Sequence, residues 1–336
     1  MKAFAYVNAA NEKEAVAALA SGGMDARTAG PDRKYLPLAG GMDLLARMKE
    51  YTHQPDVLVN VKNLDATIRQ MPDGGLRIGS AVKLIDVIEN DLIAKSYPAF
   101  HYAAAEVGTP QIRHLGTVGG NLNQRPRCWY FRNEEFHCLK KGGARCFSVD
   151  GENQFHAIFG EGPCHIVHPS SLAVPSIAYG ARFRVVGPSG EREVAAEDYF
   201  VMPDRSLFSE NVLAPDELLT HVMLPAPRNL RSASYEVRFK PSHDWPIAMA
   251  TAVLTMNGAT VQTSRIVMGA VAPIPWRAPA AEAALVGRQM TEAVAAAAAE
   301  AALKGAKPMS GNAYKVQVAK TAVKRALLQA AGIRTV

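Results

Sequence analysis

The chain has 336 residues, 48 % of them hydrophobic and 20 % charged, with a formal net charge of +6. That balance excludes disorder as the overall state, because there is ample apolar material for a core, and the length predicts two or three domains. The mild positive excess, spread without a basic tract, gives no ground for nucleic-acid binding; no apolar run is long enough for a membrane span or a signal-peptide core, so a soluble chain made in the cytoplasm is expected.

Residues 1–60 alternate strand and helix signals. Lys2–Val7 predicts a short strand, and Asn11–Ala20 has helical spacing with Asn11 in the cap position. In Tyr35–Lys49 an apolar stretch runs into Gly40-Gly41 and then a helical pattern, and Val57–Val61 reads as a β-branched strand. A larger α/β segment, 61–225, follows. Gly75–Ala81 and Arg182–Val186 predict strands there, Val82–Glu89 and Pro98–Ala105 predict helices, and Gly108–Leu122 is dense in glycine. Within it, residues 123–168 carry little periodicity and read as an insertion held by something other than a core. From 226 to 336 the character changes. Ser234–Phe239, Ala248–Met256 and Ser264–Val271 predict strands, Pro279–Leu303 an alanine-rich helix, and Tyr314–Ala331 an amphipathic helix. Strands followed by helices predict an α+β domain. There is no internal repeat.

All four cysteines, Cys128, Cys138, Cys146 and Cys164, lie in the 123–168 segment. Two disulfides would suit a secreted protein, but no export signal is visible and cytosolic thiols are kept reduced. A structural zinc site usually shows C-x2-4-C knuckles, which these spacings lack. A four-thiolate iron–sulfur cluster tolerates long, irregular spacings when a loop wraps it. Unrelated buried thiols are the bland alternative. On chemistry alone, a metal or cluster site is favoured.

Two glycine pairs, Gly40-Gly41 and Gly119-Gly120, adjoin strongly patterned segments. Neither belongs to G-x-G-x-x-G, and no phosphate-binding GxxxxGK[ST] exists. Paired glycines let backbone N–H groups converge with no Cβ in the way, which makes an anion-binding concavity. A helix starting after Gly41 would add its N-terminus to the same anion. Two such loops from different subdomains could clamp a pyrophosphate. The plainer reading of either pair alone is a tight turn.

The surrounding residues carry a resemblance. Leu38-Ala-Gly-Gly-Met-Asp-Leu-Leu45 resembles the first FAD pyrophosphate loop of the flavoprotein subunits of molybdenum hydroxylases, the xanthine dehydrogenase family. Gln111-Ile-Arg-His-Leu-Gly-Thr-Val-Gly-Gly-Asn-Leu122 resembles their second FAD motif, and Gly269-Ala-Val-Ala-Pro-Ile-Pro-Trp-Arg277 is similar to their C-terminal domain. The likeness covers essentially the whole chain. A narrower match lies in Asn121-Leu-Asn-Gln-Arg-Pro-Arg-Cys-Trp-Tyr-Phe-Arg132, the later cysteines and His165–Ala173. This set resembles the branch, typified by periplasmic-type aldehyde oxidoreductases, whose FAD subunit carries an extra [4Fe-4S] cluster.

The resemblance implies an α+β chain. A two-subdomain FAD-binding fold of the PCMH/vanillyl-alcohol-oxidase type is expected over 1–225, split near 60, then a CO dehydrogenase flavoprotein C-terminal-like domain over 226–336. FAD contacts are implied at Leu36, Pro37, Leu38, Ala39, Gly40, Gly41, Met42, Asp43 and Leu44, at Thr109, Gly116, Thr117, Gly119, Gly120, Asn121 and Asn123, and at Ser171 and Lys240. Cys128, Cys138, Cys146 and Cys164 are the implied [4Fe-4S] ligands. The family pattern departs at three places. Met42 replaces a threonine, Asn123 stands where cysteine or serine is common, and Ser171 replaces the aspartate of Pro-Ser-Asp-Leu. His137, His156, His165 and His168 adjoin the cysteines, but four thiols need no further ligand. Trp129, Tyr130 and Phe131 read as packing over the cysteine loop.

The implied function is an electron-transfer subunit passing electrons to FAD and an external acceptor. Its implied partners are a large molybdopterin-binding subunit and a small subunit with two [2Fe-2S] clusters. The implied compartment is the cytoplasm, or the periplasm by co-export with a signal-bearing partner. The alternatives are a 4-hydroxybenzoyl-CoA reductase-like flavoprotein subunit, a peptidoglycan-precursor reductase of the same FAD fold, and a zinc-stapled assembly scaffold. No Ser/His/Asp grouping or metalloprotease helix supports a hydrolase.

Overall fold

The structure is a computed structural model, and it describes residues 1–23 and 33–334. The first unit contains β1 (Ala5–Asn8), α1 (Glu12–Ala20), β2 (Tyr35–Leu38), α2 (Leu44–Lys49) and β3 (Val57–Asn60). Its three strands are parallel in the order β1-β3-β2. The Asn11 side chain accepts from the Glu14 N–H, and so satisfies one of the unpaired donors that start α1.

The second unit runs through β4 (Ile68–Gln70), β5 (Leu76–Gly79), α3 (Leu84–Ile88), α4 (Asp91–Ser96), α5 (Pro98–Ala105), α6 (Pro110–Leu115), α7 (Val118–Leu122), α8 (Trp129–Arg132), α9 (Ala173–Tyr179), β6 (Arg182–Gly187), β7 (Gly190–Ala195), α10 (Ala196–Tyr199) and β8 (Leu218–Leu224). The strands form an antiparallel sheet in the order β4-β5-β8-β6-β7. Ile78, Phe183 and Val222 pack with Val87, Phe100 and Ile177 in one core. The glycine-dense stretch is not one loop. It contains α6 and α7, each opened by a threonine cap, Thr109 and Thr117.

The third unit holds β9 (Leu230–Val237), β10 (Ala248–Asn257), β11 (Thr260–Gly269), β12 (Trp276–Arg277), α11 (Pro279–Leu285), α12 (Glu292–Leu303) and α13 (Tyr314–Ala330). Its antiparallel sheet is ordered β12-β11-β10-β9. Strand β10 is covered on both faces. Ala248, Ala250, Ala252 and Leu254 face the helices of this unit, while Met249 and Val253 join the core of the second. The two-residue period of a strand sorts them, and three alanines let the helices lie close. The single helix expected over Pro279–Leu303 is instead two. Gly287 turns the chain at φ +77°, and Thr291 caps the new helix through the Val294 N–H.

The 123–168 segment departs from its expectation in one respect. It has an aromatic core of its own, with Tyr130 and Phe136 rings 5.0 Å apart and Phe136 and Phe147 rings 5.3 Å apart. It is also tied to α13. Buried Lys315 donates to the carbonyls of Phe155 at 3.1 Å, His156 at 2.9 Å and Ala270 at 2.7 Å. Burial lowers its pKa to about 7. Lys315→Ala would leave three carbonyls without their donor and is expected to cost about 3 kcal/mol or more, read as a lowered urea midpoint.

Candidate functional site

A cleft of about 420 Å³ lies where the first and second units meet, with the 243–246 turn of the third at its rim. The β2–α2 loop forms one wall and the α6–α7 segment the other. They touch through glycine: a Cβ on Gly40 would sit 1.9 Å from the Leu115 carbonyl oxygen. Gly41 has φ +75°, the left-handed region that glycine enters without strain. Gly119 packs against Ser80, where a Cβ would come within 2.8 Å of the Ser80 Cβ.

The two glycine pairs are not equivalent as donors. Gly119 N–H is committed to the Ser80 carbonyl at 2.9 Å, and Gly120 N–H to the capping Thr117 hydroxyl at 3.0 Å. Among the described residues, the N–H groups of Gly40, Gly41 and Met42 make no hydrogen bond. The open backbone cradle expected of both pairs therefore belongs to the first. Asp43 stands at the N-cap of the short α2 but makes no capping hydrogen bond; its carboxylate instead accepts from the Arg125 N–H at 3.1 Å.

Of the implied FAD contacts, Leu36, Pro37, Ala39–Leu44, Gly116, Thr117, Gly119, Gly120, Asn121, Asn123 and Ser171 line the cleft. Three do not. Leu38 is turned into a small core with Leu58 and Met48. The Thr109 hydroxyl accepts from the Ile112 N–H to cap α6. Lys240 is exposed, and its backbone N–H donates to Asp244. Asn123 spends both ends of its amide on the scaffold, and Asn121 spends its amide oxygen there. Asn121 Oδ1 accepts from the Ser170 hydroxyl at 2.7 Å. Asn123 Oδ1 accepts from the Tyr199 hydroxyl at 2.6 Å and from Asn211 at 2.8 Å, while its Nδ2 donates to the Gly119 carbonyl. These amides hold α7 in place and so set the wall.

What the sequence reading missed is the arginine lining. Arg33, Arg47, Arg125 and Arg127 all face the cleft. Arg33 Nε, Arg125 Nη2 and Arg127 Nε are buried without a hydrogen-bond acceptor. Burial lowers the pKa of Arg33, Arg47 and Arg127 to about 10, so all remain cations at neutral pH. Asp43 pairs with Arg47 at 3.2 Å, Arg127 at 2.7 Å and Arg132 at 2.5 Å. Burial alone would raise its pKa, but these cations hold it well below the usual carboxylate range. Arg127 also stacks on the Trp245 ring, 4.5 Å from its centroid. Open N–H donors beside buried cations form a cradle whose missing component is an anion, which fits the pyrophosphate of FAD. Arg125 and Arg127 stand in the quoted 121–132 segment, so a count of basic residues there could have flagged them.

Acid should loosen this site. Burial, with Arg47 nearby, lowers His53 to about 3, and burial lowers His168 to about 4. Both are neutral in the fold and take up protons near pH 6.5 only when unfolded. The unfolded chain therefore binds more protons below about pH 6.5, and stability falls as pH drops through that window. By pH 5 the two should cost up to about 2 kcal/mol each. Melting temperature measured between about pH 7.5 and pH 5 should fall, and a flat profile would contradict this assignment.

A second, much smaller cavity is lined by Cys128, Cys138, Cys146 and Cys164 together, with Lys140, His156 and Phe147 among its other residues. No disulfide links them. Cys146 and Cys164 share a hydrogen bond that lowers the Cys146 pKa to about 5 and raises that of Cys164. Burial raises Cys128 to about 12. The His156 ring Nε2 is 3.2 Å from the Cys128 sulfur. Of the flanking histidines this one touches a thiol, while His168 meets Phe200 edge-to-face. Among the described residues, no group of three or more His, Cys, Asp or Glu side chains is placed to hold a metal ion. The expected ready-made metal centre is therefore not shown; the structure shows four free thiols around one void.

The comparisons with known proteins agree with this geometry. A family model described as "FAD binding domain in molybdopterin dehydrogenase" matches residues 2–227, and "CO dehydrogenase flavoprotein C-terminal domain" matches residues 233–330. The chain is 30 % identical to the aldehyde oxidoreductase FAD-binding subunit PaoB of Escherichia coli K12, over 98 % of this chain and 99 % of that one. It is 28 % identical to the carbon monoxide dehydrogenase medium chain of Hydrogenophaga pseudoflava, over 94 % and 92 %. A solved structure of carbon monoxide dehydrogenase from Hydrogenophaga pseudoflava superposes with a TM-score of 0.75 at 28 % identity, covering 98 % of this chain and 97 % of that one. The chain belongs to the family of FAD-binding subunits of the molybdenum hydroxylases. It is thus the FAD-binding component of a molybdopterin-dependent oxidoreductase, with the mixed α/β architecture of that family. Among the described residues, no helix is long and apolar enough to cross a membrane.

Proposed function

We propose that this chain is the electron-transfer subunit of a three-subunit molybdenum hydroxylase. A large molybdopterin-binding subunit would oxidise the substrate, and a small subunit with two [2Fe-2S] clusters would connect it to the flavin here. An aldehyde is the favoured substrate class, because a 30 % identical relative is named for aldehyde oxidation. The observation that carries the reading is the cleft, which sets the unpaired N–H groups of Gly40 and Gly41 beside buried arginines. Bound FAD supplies a group that accepts electrons singly and releases them in pairs. The chain's own residues do the holding. The first glycine loop offers backbone donors, Arg33, Arg125 and Arg127 offer charge, and Trp245 closes one rim.

The second part of the proposal is that Cys128, Cys138, Cys146 and Cys164 hold a [4Fe-4S] cluster. Its support is the chemistry of the donor set: four free thiols converge on one cavity that no carboxylate lines. Thiolate is the ligand such clusters require, and the cluster would supply one-electron storage beside the flavin. Assembly in the cytoplasm, with or without later export on a signal-bearing partner, fits both parts.

The test is purification of the tagged chain from its native host under anaerobic conditions. Two co-purifying polypeptides are expected, together with FAD released on denaturation and iron beyond that of two [2Fe-2S] clusters. FMN, or aldehyde oxidation by the isolated chain, would overturn the reading.

A further inference from the structure

Lys140 is two residues from Cys138, yet its side chain is 1 % exposed. It lines the thiol cavity with all four cysteines. Its Nζ lies 2.7 Å from Glu210 Oε1 and donates to the Leu207 carbonyl at 3.0 Å. Glu210, 4 % exposed, also pairs with Arg125 Nε at 2.5 Å. Both Glu210 and Arg125 line the flavin cleft. A buried row of cation, anion and cation thus runs from the thiol cavity to the cleft. His168 and Lys141 are the other titratable neighbours. His168 faces Glu210 and Lys140, and Lys141 faces Cys138 and Cys128 while its ammonium donates to the Asn133 carbonyl.

We infer that Lys140 is a potential-setting residue for the four-cysteine site, and that Glu210 divides its charge between that site and the flavin cleft. The inference rests on the [4Fe-4S] reading above. Its physics is Coulombic. One electron taken from an external reductant makes the cluster one charge more negative without making or breaking a bond. A fixed ammonium on the cavity wall favours that state, and the buried surroundings do not screen it as water would. Glu210 opposes the effect at the cavity and is itself held ionised, because Arg125 and Lys140 outweigh its burial. Removing either charge should move the cluster, and Glu210, which pairs with Lys140 and also lines the cleft, should move the flavin as well.

The test uses the intact complex, reduced stepwise with dithionite in the presence of mediator dyes. Low-temperature electron paramagnetic resonance follows the cluster, and visible absorption follows the flavin. Iron and FAD are assayed on the same samples. In Lys140→Gln the cluster should keep its iron but become harder to reduce. The ratio of reduced to oxidised cluster at the wild-type midpoint should fall about tenfold, which is about 59 mV for one electron. Lys140→Arg should restore it. Glu210→Gln should shift the cluster the other way and displace the flavin midpoint too. If Lys140→Gln loses its iron, Glu210→Gln decides the matter by the sign of its shift. Unmoved potentials in variants that retain iron would overturn the inference and leave the cluster reading standing. Equal iron in wild type and Cys164→Ser would overturn the cluster reading, and this inference with it.

Discussion

Gly40→Ala should strip the flavin while leaving the C-terminal unit folded. The added methyl would lie 1.9 Å from the Leu115 carbonyl oxygen, 2.6 Å from its carbon and 3.0 Å from the Gly116 Cα. All three are backbone atoms, so no side chain can rotate out of the way. The two walls of the cleft must part, and the donors of the first glycine loop move with them. A shift of about 1 Å at such a contact costs far more than an exposed substitution, on the order of 3 kcal/mol. The flavin-to-protein ratio after desalting should fall at least about tenfold. Gly120→Ala is the companion, since a Cβ there would meet Thr117 Oγ1 at 3.1 Å and Ala39 Cβ at 3.8 Å. It should fold normally and weaken FAD less. Full flavin content in Gly40→Ala would show that the contact between the walls does not shape the site.

Cys164→Ser should remove all four irons of the cysteine segment, because a serine oxygen is a poor substitute for a thiolate on iron. Cys164 is buried, and its neighbours offer no replacement ligand within the cavity beyond His156. Iron and acid-labile sulfide should each fall by about four per chain relative to wild type. FAD should be largely kept, since the first glycine loop belongs to another unit. The segment itself should not unravel, because Tyr130, Phe136 and Phe147 pack together and Lys315 and Asn312 pin residues 155–157. One zinc and no iron in the wild-type chain would point to a different metal chemistry.

Much of this architecture is legible in the sequence, for identifiable reasons. Glycine pairs flanked by periodic segments stand out because a missing Cβ is informative wherever chains approach closely, and Gly40 is such a place. Cysteine clustering is equally visible, since a thiol is rare enough for its position to carry meaning. The arginines of the cleft are not. Arg33 and Arg47 stand in stretches far from the Arg125–Arg127 segment, and a single arginine in sequence reads as a solvated surface residue. Folding brings them together. Strand β8 escaped for the opposite reason: Leu218–Leu224 is buried along nearly its whole length, so its sequence shows no alternation to read. Thr109 matched its motif by position, but its hydroxyl is spent as a helix cap. Motif position therefore locates a neighbourhood, and the hydrogen-bond inventory decides which members face the ligand.

The clamp on the cysteine segment also sets an order of events during synthesis. Asn312 and Lys315 bind carbonyls of residues 155–157, and 156 residues separate Asn312 from His156. At about 5–20 residues per second, the last cysteine leaves the ribosome many seconds before its fastening exists. During that interval residues 155–157 lack the donors that hold them in the folded chain. Docking of α13 then fixes the backbone of His156, whose ring lies 3.2 Å from the Cys128 sulfur, so the last helix made completes the wall of the thiol cavity.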